Sequence, residues 1–200
     1  MYEGKIDTEI IEQFLKCAAK GDIEKLKHYL KEYKVPINYQ DESGISALML
    51  ASYNNHKDIV KYLLDNGADI ELKDCEGTTS LIGTAYYGNF DVVKILLNYG
   101  ANICSQDING ETALFQATRE GHKEVVELLC ANGAVVNAVN IHGDNLISIA
   151  KYKGYVDIYN ILLSYGAEES IKQTSEEQFR QMLYQESELD NFIKLLRSKD

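Results

Sequence analysis

The sequence predicts an all-α repeat solenoid, and three marks recurring at a 33-residue interval predict it. Glycines stand at Gly44, Gly77, Gly110 and Gly143, each preceded three positions earlier by Asp41, Asp74, Asp107 or Asn140. The pairs Gly67-Ala68, Gly100-Ala101, Gly133-Ala134 and Gly166-Ala167 keep the same phase. So do Leu63-Leu64, Leu96-Leu97, Leu129-Cys130 and Leu162-Leu163. Self-similarity at a fixed period of this size marks stacked supersecondary units.

Each mark has a physical purpose. An Asp or Asn three residues before Gly can bond its own backbone and set a tight turn, and Gly supplies a positive φ there. Ser46, Thr79, Thr112 and Asn145 follow, residue types that cap a helix amino terminus. A first helix is predicted next. Leu48, Leu81, Leu114 and Ile147, with Ala51, Thr84, Ala117 and Ala150, form its mostly apolar stripe, and the small residues admit a close neighbour. That helix is predicted to stop at Asn55, Gly88, Gly121 or Gly154. A second begins around Asp58, Asp91, Glu124 or Asp157, where an acid complements the helix dipole. It carries the leucine pairs and closes at Gly-Ala, where a left-handed residue is expected. An extended segment such as Asp69 to Lys73 then returns the chain and is predicted to complete a β-hairpin loop with the next turn.

These phased units resemble the ankyrin-repeat family, whose repeat opens its first helix with Thr-Pro-Leu-His-x-Ala. The resemblance covers about residues 10–200. The signature's Pro is replaced by Ala47, Ser80, Ala113 and Leu146, and its His by Met49, Ile82, Phe115 and Ser148. The polar ties those residues make in the family are therefore weakened, and apolar packing is expected to substitute. The predicted division is one domain, 1–200, with four full repeats at 41–73, 74–106, 107–139 and 140–172. Degenerate capping repeats are placed at 8–40 and 173–200, so that six units make a complete module. In the last of these Leu195-Leu196 fall in phase with Leu162-Leu163, and Ser175 with Gln178 forms a candidate capping box.

The formal charge is −11. Residues 1–40 are balanced, with 7 acids and 7 bases, so the whole excess lies beyond them. A polyanion would be repelled, which argues against a nucleic-acid partner. No apolar run approaches the roughly 20 residues that span a bilayer. The amino-terminal residues carry no secretory pattern, so no membrane partner and a cytoplasmic location are expected, with export by a signal-less route left open. Cys17, Cys75, Cys104 and Cys130 have no paired spacing and read as reduced thiols.

No catalytic, cofactor or metal constellation is visible. His56 and His122 share one repeat position and read as structural, while His28 and His142 have no ligand-like companion nearby. Phosphate-cradling glycine loops are absent, and most glycines are explained by the repeat phase.

The family resemblance implies partner binding on the concave face, through hairpin tips and first-helix ends. By position, the tips map to Glu42, Glu76, Ile108, Glu111 and His142 and their neighbours, and the helix ends to Tyr53, Tyr86, Tyr87, Arg119, Glu120 and Tyr152. One equivalent position reads Tyr53, Tyr86, Arg119, Tyr152 down the stack. Tyr and Arg are enriched among interface hot spots, and neither turn, cap nor core demands them here. The expected function is a non-catalytic adaptor or scaffold, monomeric, binding a protein with a basic or mixed surface. An inhibitor or immunity-type protein that occludes an enzyme or toxin is the alternative, and catalysis is a third class without a visible constellation.

Overall fold

The computed structural model describes residues 7–168, which form α-helices joined by turns. The first pair is α1 (Thr8–Lys20) and α2 (Ile23–Glu32). The repeats then give α3 (Ala47–Tyr53) and α4 (Lys57–Asp65), α5 (Ser80–Tyr86) and α6 (Phe90–Asn98). The last two pairs are α7 (Ala113–Glu120) with α8 (Lys123–Ala131), and α9 (Leu146–Lys153) with α10 (Val156–Ser164). All belong to one compact unit ending at Ala167. The predicted sixth repeat, 173–200, with its capping box, lies outside the described residues. No described helix is long and apolar enough to cross a membrane.

The helix starts follow from their caps. Side chains of Ser46, Thr79, Thr112 and Asn145 accept from the backbone N–H of Met49, Ile82, Phe115 and Ser148. These bonds satisfy donors that no helical carbonyl can reach. The second helices α4, α6, α8 and α10 lack a side-chain cap, and Asp58, Asp91, Glu124 and Asp157 in their first turns face the positive end of the dipole instead.

Two layers result. Helices α1, α3, α5, α7 and α9 pack side by side, and α4, α6, α8 and α10 pack behind them. Leu63, Leu96, Leu129 and Leu162 are fully enclosed between the layers. Ala51, Thr84, Ala117 and Ala150 are fully buried where first helices meet, and the Thr84 hydroxyl donates to Ser80 O at 2.6 Å. Met49, Ile82 and Phe115, which stand where the family has His, are buried apolar side chains.

The return segment differs from the predicted hairpin. Among the described residues there is no extended strand, only isolated antiparallel bridges at Gln40–Ser46 and Val139–Asn145. Local side-chain bonds account for this. Asp69 accepts from Glu71 N and Asn102 from Cys104 N, each two residues on, so the chain turns where a ladder was expected. The tips themselves close as predicted: Asp41 Oδ1 accepts from the N–H of Ser43 and Ile45, and Asp74 Oδ1 from Glu76 and Thr78. Neighbouring tips are then tied, with Cys75, Ile108 and Ile141 each donating its N–H at 3.0 Å to Ser43, Glu76 and Asn109 carbonyls.

Second-helix starts lock onto the preceding repeat. His56 Nε2 meets Ala19 O at 2.9 Å, and His122 Nε2 meets Tyr86 O at 2.8 Å. Asn89 does the same work for its repeat, donating to Ser52 O and Tyr53 O. A Cβ at Gly88 would stand 2.5 Å from the His122 ring, so a side chain there would exclude the lock. Lys57–Asp91 at 2.7 Å and Lys123–Asp157 at 3.0 Å add exposed ion pairs across repeats, each contributing little to stability.

Leu96→Ala removes a side chain enclosed by both layers and should cost about 2–5 kcal/mol in urea unfolding. A loss of the size seen for surface substitutions would mean that the phase of the repeats is misplaced.

Candidate functional site

The candidate surface is the groove between the tips and the ends of the first helices. Its geometry is read from Arg119. This side chain leaves the last turn of α7 and donates from Nη2 to a carboxylate oxygen of Glu111, at the base of the turn that opens its own repeat. At this repeat position Arg119 reaches back toward the tip of its own repeat.

Glu111 was expected at an exposed tip. It is 2 % exposed. Its carboxylate accepts from Arg119, from Gln116 Nε2 at 3.1 Å and from Asn140 Nδ2 at 2.9 Å. The reason is the set of partners that enclose it, Gln116 and Arg119 on α7 and Asn140 of the next turn. Glu111 thus ties two repeats together, and Arg119 is half-buried beside it with its charge compensated.

Tyr53 departs from the expected ladder in a similar way. It is half-buried, and its hydroxyl is enclosed with no hydrogen-bond partner. Burial pushes its phenol well above the ordinary tyrosine range, with the Asp74 carboxylate and Tyr87 adding to the effect. Its ring lies against the backbone of α5 at Gly83, where an added Cβ would fall 2.2 Å from Cε1. Gly83 occupies the repeat position of Leu50, Gln116 and Ile149, so a glycine out of phase was the sequence signal for this contact.

The remaining expected positions are open. Tyr86 is 44 %, Tyr87 55 % and Tyr152 78 % exposed. Tyr87 stands at the centre of a cluster, its ring 5.1 Å from Tyr86 edge-on and 5.7 Å from Tyr53. Glu42, Glu76, Glu120 and His142 are exposed, as is Ile108 at 64 %. Ile141, beside His142 on the last tip, is exposed to 67 %. Tyr152 is separated from the Tyr53–Tyr86–Tyr87 cluster by the Arg119–Glu111 pair, so the predicted ladder divides into two patches.

The described residues hold no group of three His, Cys, Asp or Glu placed to share a metal ion. Burial pushes the Cys130 thiol up to about 11 and raises that of Cys17, so both stay protonated at neutral pH. Cys75 and Cys104 are exposed free thiols. His122 and Glu124 line one shallow depression with Gly88, Phe90 and Val125, and that histidine is engaged by the Tyr86 carbonyl. The chemistry of the groove is contact chemistry: aromatic faces, carboxylates and exposed apolar tips.

A family model described as ankyrin repeats (3 copies) matches residues 14–107 and 102–173. The chain is 37 % identical over 60 residues to BTB/POZ domain-containing protein 3 of Schizosaccharomyces pombe, covering 30 % of this chain and 12 % of that one. It is 42 % identical over 60 residues to human NAD-capped RNA hydrolase NUDT12, covering 30 % of this chain and 12 % of that one. Human ankyrin repeat domain-containing protein 7 is 40 % identical over 50 residues, 25 % of this chain and 20 % of its own length. The chain thus spans no more than a fifth of these relatives.

Helix propensity alone makes Gly83→Ala stabilising by about 1 kcal/mol. The Tyr53 contact reverses the sign, and a net loss of about 1–3 kcal/mol in chemical denaturation is expected. Combining it with Tyr53→Ala should recover most of the overpacking loss, and a stabilised single variant would show that Tyr53 does not rest on α5.

Proposed function

Because the chain belongs to the ankyrin-repeat family, we propose that it is a non-catalytic adaptor that binds a protein partner along its concave face, anchored by Tyr86, Tyr87 and Tyr152. Ankyrin repeats generally mediate protein–protein interaction and are typically non-catalytic. The observation that carries the reading to this face is the exposure of those three rings at the ends of α5 and α9, helices whose other apolar side chains are mostly buried. Large aromatic residues left in water at phased positions are the side chains that anchor interfaces.

The partner in this reading has a basic or mixed surface, matching a net charge of −11, and is neither a nucleic acid nor a membrane. Arg119 and Glu111 serve the face indirectly, by fixing the wall between its patches. Glu120, Glu42, Glu76, Ile108 and His142 form the rim, and Tyr53 supports Tyr87 from beneath. The exposed free thiols Cys75 and Cys104 fit a reducing, cytoplasmic setting, and the module acts as a monomer.

The test uses the full chain and the protein it captures. Tyr86→Ala and Tyr152→Ala should each weaken binding, together by about 2 kcal/mol or more, which is roughly 30-fold. Melting should stay cooperative and nearly unchanged, since both side chains lie outside the core. Unaltered affinity in the folded double variant would contradict the reading.

A further inference from the structure

We infer that the groove is polarised along the stack: it takes an extended protein segment that sets lysine or arginine against repeats 41–73 and 74–106, and apolar side chains against repeats 107–139 and 140–172. The inference rests on the protein-binding reading above and specifies the partner's chemistry.

The polarity begins with charge. The tip and first-helix segments 41–56 and 74–88 carry Asp41, Glu42, Asp74 and Glu76 and no lysine or arginine. None of these four acids has an ion-pair partner among the described residues. The corresponding segments 107–121 and 140–154 carry four acids against three bases, Arg119, Lys151 and Lys153. One of those acids, Glu111, is buried and already paired with Arg119. These tip and first-helix segments therefore sum to a formal charge of −4 (four acids, no base) in the amino-terminal half and −1 (four acids, three bases) beyond it.

Apolar exposure at the tips runs the opposite way. The residue just after the turn-forming Asp or Asn reads Glu42, Cys75, Ile108, Ile141 from one tip to the next. The two isoleucines are 64 % and 67 % exposed. They are not a random pair, because Ile141 donates its N–H to Asn109 O and its Cγ2 lies against Gly110, on the same tip as Ile108. Backbone bonds between tips hold the row in register, so charge and apolarity are presented in a fixed order.

The amino-terminal half also has a receptor for a cation. Tyr86 and Tyr87 meet edge to face and remain about half exposed, so part of their aromatic surface is open to a ligand. An ammonium or guanidinium within about 6 Å of such a face is attracted by its quadrupole. The unpaired acids steer that cation in and raise the association rate in low salt. A second copy of this chain would bring its own excess of acids to the same place, so the occupant is a different protein.

The experiment selects random linear peptides displayed on phage against the immobilised full chain, then measures the affinity of synthesised winners. Expected winners carry lysine or arginine toward one end and apolar residues toward the other. Glu42→Lys with Glu76→Lys should lower their affinity on the order of tenfold and flatten its salt dependence. Ile108→Ser with Ile141→Ser should lower affinity comparably and leave the salt dependence intact. The altered side chains are exposed, and a melting curve verifies each fold. If the charge reversal unfolds the chain, Glu42→Gln with Glu76→Gln replaces it, with the same direction expected. Winners without basic enrichment, indifference to charge change, or no winners at all would overturn the polarity. Should that happen while Tyr86→Ala with Tyr152→Ala still releases the captured protein, the binding reading stands and only the partner's chemistry is wrong.

Discussion

Leu63, Leu96, Leu129 and Leu162 are each completely enclosed, yet each sits on a helix of only nine residues. A helix that short is marginal by itself, and one repeat has too little apolar surface to cover it. Cover comes also from neighbouring repeats, as α4 packs on α6, α6 on α8 and α8 on α10. Every other regularity serves this contact. Ala51, Thr84, Ala117 and Ala150 let first helices approach, the His56, Asn89 and His122 locks set the spacing of the second layer, and the tip-to-tip bonds set it at the turns. Stability in such a stack is the sum of repeat and interface terms, so no single repeat carries the fold.

The same contact explains what was legible in the sequence. Caps, turns, leucine pairs and small residues recur because each unit faces an equivalent neighbour, and they were found at their predicted places in the described residues. The return segment was not foreseen correctly, because alternation in Asp69–Lys73 suits a strand while the Asp69 side chain bends the chain locally. Side-chain burial at unphased positions was harder still. Glu111 looks like any tip residue until its Arg119, Gln116 and Asn140 partners are seen, and those partners lie as far as 29 residues away. Tyr53 and Tyr86 share a repeat position, but only Tyr53 has a glycine opposite it on the next helix to receive its ring.

Function follows from what the stack leaves uncovered. Packing accounts for the apolar stripe of each first helix but leaves Tyr86, Tyr87 and Tyr152 exposed. Those side chains lie outside the core, and the fold therefore identifies a surface and not a partner. The Arg119–Glu111 pair stands between the aromatic cluster and Tyr152. It ties the end of α7 to the tip of its own repeat and, through Asn140, to the next turn.

The most direct measurement replaces Tyr86, at the end of α5, and separately Lys61, on the exposed side of α4, with a photo-crosslinking phenylalanine analogue in the full chain. After illumination with the captured protein, a covalent adduct is expected from position 86 and not from position 61. An adduct from position 61 alone would place the partner on the second-helix layer and contradict a binding face built from tips and first helices.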